Sequence, residues 1–195
     1  INGTNTSNAW DYSGYGNNGS DQGGVTWNGS GGFDGLGAYQ FDGVDDYIEM
    51  PNDSSFNITT GLTVSAWIKQ PTLATNDAIV VKWDYQTQGS WGFQTDPTNS
   101  DELMMLIADA IDEAGGNYGS TTDANMVAGN WYHVVAVYDG TQAVQANTLK
   151  IYLNGAEKTV SLTGTIPASL TSSTSTVKIG KFGGSLSRWF NGTID

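Results

Sequence analysis

Between Gly129 and Gly155 the chain reads G-N-W-Y-H-V-V-A-V-Y-D-G, then a polar spacer, then L-K-I-Y-L-N-G. No other stretch restricts the fold so strongly. The first run is dense in Trp, Tyr and Val, which lose side-chain freedom in a helix and suit a pleated, packed surface. It stops at Asp139-Gly140, a turn pair, and the second run alternates strictly. Leu149, Ile151 and Leu153 share one face, and Lys150, Tyr152 and Asn154 the other. Apolar side chains occupy both faces of residues 131–138, which predicts a central strand covered twice. Two long antiparallel strands with a common core face need a second sheet above them. The pattern therefore predicts a β-sandwich.

The rest of the chain fits that frame. Residues 1–37 are glycine-rich and keep no period of 2 or 3.6, which predicts a loop-rich segment with one short strand at 24–27. Strands are expected at 38–43, 47–51, 62–70, 78–84, 90–95, 102–109, 158–162, 176–182 and 188–195. Within 62–70, Leu62, Val64, Ala66 and Ile68 should point between the sheets, as should Val177 and Ile179. Residues 112–129 read as a long polar loop, a length that is functional or mobile. No helix pattern and no internal repeat occurs. The expectation is one all-β, two-sheet antiparallel domain over 1–195.

Charge narrows the partners. Twenty acidic residues face seven basic ones, for a net charge of −13. Nucleic acid and anionic membranes attract Lys and Arg, so neither is an expected partner. No apolar run approaches the ~18 residues of a membrane span, so no membrane insertion is expected. The absence of cysteine excludes thiol chemistry. Ile1 and Asp195 read as the ends of an excised or processed piece of a longer protein.

Several phrases together resemble the laminin-G-like, concanavalin A-like jelly-roll domains. They are D-Y-S-G-Y-G-N-N-G (11–19), F-D-G-V-D-D-Y-I-E-M-P (41–51), L-T-V-S-A-W-I-K (62–69), W-Y-H-V-V-A-V-Y-D-G (131–140), L-K-I-Y-L-N-G (149–155), K-I-G (178–180) and F-N-G-T-I-D (190–195). They follow the family's order across nearly the whole chain. The resemblance implies a jelly-roll β-sandwich that mostly binds glycans or surface proteins, often with calcium. The family pattern continues past its Gly-x-Ile-Asp phrase with a further strand, which would be absent here or supplied by another chain. The segment 109–129 is longer and more polar than the family's.

Glycoside hydrolysis needs two carboxylates ~5–5.5 Å apart, or ~6.5–9.5 Å apart for inversion. The glucanase relatives carry a Glu-x-Asp-x-Glu phrase, and this chain has none. His133 is the single histidine, too few for a histidine zinc site, and reads as a packed residue bonded to a neighbour. Trp67 and Trp131 read as packing residues. A sugar platform is sought at Trp83, Tyr85 and Trp91, which flank one turn. The Asn-x-Ser/Thr pattern at Asn2, Asn5, Asn18, Asn28, Asn52, Asn57 and Asn191 exceeds chance, and marks either glycosylated surface loops of a secreted or cell-surface protein or the crowding of Asn, Gly, Ser and Thr into turns.

Calcium takes six to eight oxygens, and a glycine-rich curl can wrap it. Asp11, Asn17 and Asn18 lie within reach of one another along such a curl. The resemblance extends that set to Asp42 or Gly43 and to Asp195. The expected function is therefore non-catalytic extracellular recognition of glycan or protein, stabilised by calcium. The alternatives are a structural subunit of a surface filament, self-assembling through an unpaired sheet edge, and an accessory module of a secreted polysaccharide-degrading enzyme.

Overall fold

The computed structural model describes residues 2–3, 8–84, 88–108, 116–184 and 188–195. Its first strands are β1 (Asn2–Gly3), β2 (Asn8–Trp10), β3 (Gly19–Gln22) and β4 (Thr26–Asn28). Next come β5 (Ala38–Asp42), β6 (Tyr47–Met50), β7 (Gly61–Lys69), β8 (Ala78–Asp84) and β9 (Gln88–Thr95). They are followed by β10 (Leu103–Ile107), β11 (Asn117–Thr121), β12 (Trp131–Asp139), β13 (Leu149–Leu153) and β14 (Ala156–Glu157). The last are β15 (Val160–Thr163), β16 (Val177–Ile179) and β17 (Asn191–Ile194). Among the described residues, the helical pieces are two 3-10 turns, Ser54–Phe56 and Gln145–Asn147.

Two antiparallel sheets face each other. One runs β14-β13-β12-β7-β17-β5-β4 and the other β1-β2-β3-β6-β16-β8-β9-β10-β11-β15. This is the jelly-roll sandwich expected from the sequence. Asn154 and Gly155, both at positive φ (51° and 80°), make the two-residue turn between β13 and β14. That is the mirror-image turn whose twist matches paired strands.

The main core lies between the sheets. Leu62, Ile68, Leu149, Ile151, Leu153, Val177 and Ile179 are buried in it, and Val64 and Ala66 pack against it half-buried. Ile151 is fully buried, while Lys150 beside it is half-exposed on the other face. Ile151→Ala should cost about 2–4 kcal/mol through lost burial and a residual cavity. Lys150→Ala should cost little. Equal losses in urea melts would mean that the register of β13 is displaced by one residue.

The structure corrects three expectations. β12 is central, but Trp131, His133, Val135 and Val137 on its outer face stay half-exposed. A strand covered on both sides is β10, L-M-M-L-I, in which all five residues are buried. Leu103, Met105 and Ile107 enter the main core, while Met104 and Leu106 join a second cluster with Val81, Trp83, Ala108 and Phe182. An unbroken apolar run fits a strand buried twice better than the aromatic run does. Second, the long loop expected over 112–129 contains β11, paired with β10 and β15; residues 109–115 lie outside the described set. Third, the loop-rich start contributes β2 and β3, which extend the larger sheet from β6. Among the described residues no helix is long and apolar enough to cross a membrane.

Candidate functional site

Residues 11–18 connect β2 to β3 and are held by their own side chains. Asp11 Oδ1 accepts the Ser13 N–H at 2.7 Å, and Oδ2 accepts the Ser13 hydroxyl and the Asn17 N–H, each at 2.8 Å. The Ser13 hydroxyl, then the Ser13 and Asn17 amides, hold the Asp11 carboxyl below its usual range. Asn18 Oδ1 accepts the Asp11 N–H at 2.8 Å. Asn17 Nδ2 donates to Ser55 Oγ at 2.7 Å, which pins the loop to the 3-10 turn at Ser54–Phe56. Short Asp, Ser and Asn side chains close a loop in this way because they can replace backbone partners.

The fixed loop displays aromatic rings. Trp10 is 43% exposed, Tyr12 73% and Tyr15 76%. Isolated exposed apolar residues are ordinary, but three aromatics within six residues, interleaved with hydroxyl, amide and carboxylate groups, are not. Beneath them a cavity of about 820 Å³ runs from Ser13, Tyr15 and Asn17 inward to Phe41, Ile79 and Trp91 between the sheets. A smaller hollow beside it is lined by Trp10, Asp11, Tyr12 and Phe56. Sequence reasoning placed calcium ligands on this loop and passed over its rings. The signal was present, since aromatics in a segment without apolar period have no core face to join.

The sugar platform expected at Trp83, Tyr85 and Trp91 is not formed. Trp83 is 2% exposed and Trp91 4%, and they belong to different clusters, Trp91 to the main core and Trp83 to the second. Their strands pair with a register shift at Lys82/Trp83. Neither indole is displayed at the surface, and Trp91 meets only the cavity between the sheets. Tyr85 lies outside the described residues.

The calcium set expected from the sequence is divided. Asp42 pairs with Asn191 across β5 and β17, so Asp195 stands four strand residues away, about 13 Å. Asp195 Oδ2 instead accepts the Phe33 N–H at 3.0 Å. Asp11 and Asn17 leave the β3–β6 ladder at its opposite end from Asp42, and Gly43 (φ 77°) turns the chain against Asn191. Asp42 finds other partners. Single carboxylate oxygens of Asp42, Asp45 and Asp46 all lie within 4.8 Å of one another. Asp42 Oδ1 accepts the Val44 N–H at 2.7 Å, which lowers its pKa, and Asp46 Oδ2 accepts the Asp42 N–H at 2.9 Å. Asp46 is 5% exposed; burial first, then the charges of Asp42 and Asp45, raise its pKa.

On the outer face of the seven-stranded sheet, Phe33 stacks on Trp67 with centroids 3.5 Å apart, and Trp131 meets Phe33 edge-on. His133 Nε2 lies 2.9 Å from Ser65 Oγ, the bonded, packed histidine that was expected. Of the glycosylation sequons, Asn18, Asn52 and Asn57 are exposed, and Asn28 and Asn191 are half-buried. Asn28 Oδ1 accepts the Ser30 N–H at 3.1 Å, and Asn52 Oδ1 accepts the Lys82 ammonium at 2.7 Å. Asn5 lies outside the described residues, and Asn2 is in β1.

Two antiparallel sheets in this order, with a polar and aromatic rim over one end, define a lectin-like jelly roll. Residues 42–195 match the concanavalin A-like lectin/glucanases superfamily, and the chain belongs to it. The rim at Trp10, Tyr12 and Tyr15 precedes the matched residues. Among solved structures, a candidate carbohydrate-binding protein from Bacteroides ovatus ATCC 8483 is similar at 21% identity and a TM-score of 0.58, over 81% of this chain and 41% of that one. Botulinum neurotoxin type C, which depends on interaction with two ganglioside molecules to enter cells, is similar at 14% identity and a TM-score of 0.59, over 87% and 39%. The binding domain of botulinum neurotoxin serotype D is similar at 16% identity and 0.56, over 95% and 43%. The chain thus spans about two fifths of the length of these structures, and identities this low establish the shared fold alone. No curated protein matches the sequence.

Proposed function

We propose that this chain is a non-catalytic glycan-binding module that works at the cell surface or outside the cell, with the rim of Trp10, Tyr12 and Tyr15 as its binding surface. The observation that carries the reading is the exposure of those rings on a loop already ordered by Asp11, Ser13, Asn17 and Ser55. An aromatic face covers the apolar side of a pyranose, and fixed polar groups at its edge meet the hydroxyls. Ordering before binding lowers the entropic cost of association. The superfamily, and the carbohydrate and ganglioside ligands of its structural neighbours, point the same way.

The test is a glycan array followed by titration. Tyr12→Ala and Tyr15→Ala should each weaken binding by about 1–3 kcal/mol, with unfolding curves unchanged because both rings are solvated. Full binding by the double variant would move the site elsewhere. No release of reducing ends should accompany binding.

The calcium reading is retained at a different place. Asp42, Asp45 and Asp46 supply hard oxygen donors of one sign; burial first, and then the two neighbouring charges, raise the pKa of Asp46, and a divalent cation would reverse the charge repulsion. Calcium at a hundredfold excess over its Kd should stabilise the fold by about 2.7 kcal/mol, and Asp45→Asn should reduce that gain. Superimposable melts in chelator and in millimolar calcium would remove the cation from this account.

A further inference from the structure

Charge is unevenly spread along the chain. Residues 158–194 hold four of the seven basic residues, Lys158, Lys178, Lys181 and Arg188, and no acidic one. Part of this segment lies on the outer side of the larger sheet, beside β6. That strand turns Ile48 and Met50 into the core, so Tyr47 and Glu49 point outward. Lys178 stands opposite Glu49 in the ladder, and its ammonium meets Asp84 at 2.9 Å and Glu49 at 3.7 Å. Lys181 is placed differently. Its ammonium lies 4.3 Å from the ring centroids of both Tyr47 and Trp189, which are 5.8 Å from each other. Trp189 also pairs with Lys181 through an isolated antiparallel contact. All three side chains belong to half-exposed residues. Among the described residues Lys150 and Lys178 meet carboxylates, and Lys82 and Lys158 donate to neutral oxygens. Lys181 does neither, in a chain with twenty carboxylates. Burial first, then the charge of Lys178, lower its pKa. Glu49 and Asp84 oppose that shift, but both are already engaged by Lys178.

We propose that Lys181, held between Tyr47 and Trp189, is a subsite for a sugar that bears a carboxylate, a uronic or sialic acid residue. The two ring faces fix the ammonium in place, so little freedom is lost when an anion meets it. The ammonium receives the carboxylate, and the exposed parts of the rings meet the C–H side of the pyranose. A bound anion also offsets the repulsion between Lys181 and Lys178. Inorganic phosphate would make the charge contact and leave the rings uncovered. A neutral sugar would cover the rings and leave the ammonium without a counter-charge. A sugar carboxylate does both. The subsite is separate from the aromatic rim. Tyr47 pairs with Gln22, at the end of the β3–β6 ladder away from residues 11–18.

The experiment titrates the labelled chain with a galacturonic acid trimer and with sialyllactose, following Tyr47, Lys181 and Trp189 by NMR. The galactose trimer and lactose are the neutral counterparts, and inorganic phosphate is the bare anion. At least one acidic sugar should shift those signals and bind about fivefold more tightly than its neutral counterpart, and the one that does so names the source. Lys181→Gln should remove that margin and Lys181→Arg should keep it. Added salt should shrink it, because an exposed charge pair is screened. Tyr12→Ala and Tyr15→Ala should leave it unchanged, so a failure of the rim is read separately. No shift with either acidic sugar, equal binding of acidic and neutral sugars, or a margin that survives Lys181→Gln would overturn the proposal. So would the same shifts from phosphate at the same concentration, or a margin lost with the rim tyrosines.

Discussion

Trp91→Ala costs about 3–5 kcal/mol of stability and leaves glycan binding by the folded molecules intact. The ring is 4% exposed in the main core, where its strand pairs with both β8 and β10. Removing it opens a hole that the sheets can only partly close, since interiors pack at crystal-like density. Trp83→Ala should cost a similar amount through a different cluster, where the ring packs against Phe182. The pair lies apart, so the double variant should lose roughly the sum. Urea unfolding and a glycan titration on the same samples separate stability from binding. A stable Trp91→Ala protein that no longer binds would restore the turn between β8 and β9 as the sugar platform.

Gly192→Ala is expected to cost roughly 2–6 kcal/mol, the sum of backbone strain and overpacking at one site. Gly192 holds φ at 150°, where side chains other than hydrogen are strained. A Cβ there would also come within 2.2 Å of the Lys69 carbonyl oxygen on β7. That obstacle is main chain and cannot rotate away, so β17 must move off its neighbour. The amide exchange of Trp67 and Asp195, which are bonded to each other, should rise first. An alanine variant with wild-type stability and unchanged exchange would show that β17 can shift without loss.

Those two sites mark the limits of what the chain disclosed. β7 and β13 were legible because alternation fixes which side chains are buried, and one residue of slip would reverse every one of them. β11, N-Y-G-S-T, was not: its pairing comes from β10 and β15, and a polar strand between two others leaves no local period. Trp83 looked like a ligand platform because it adjoins a turn, yet Phe182, 99 residues later, helps to cover it. Asp42 and Asp195 were joined by family resemblance and parted by the register Asn191↔Asp42. The Asp42–Asp45–Asp46 grouping needed only the short phrase F-D-G-V-D-D, in which the acids crowd around Gly43.

β16 and β17 come more than 120 residues after the strands β5 and β6 that they meet, and both lie in the interior of their sheets, β16 between β6 and β8 and β17 between β7 and β5. On a ribosome, neither sheet can close until residues 177–194 have emerged from the exit tunnel. Until then β5 and β7 are held apart with their facing edges bare, in a chain whose native pairings are mostly distant in sequence. Such topologies fold slowly and expose strands while they wait. A nascent chain stalled before Asn191 should therefore remain protease-sensitive, and protection should arrive once β17 is free to pair.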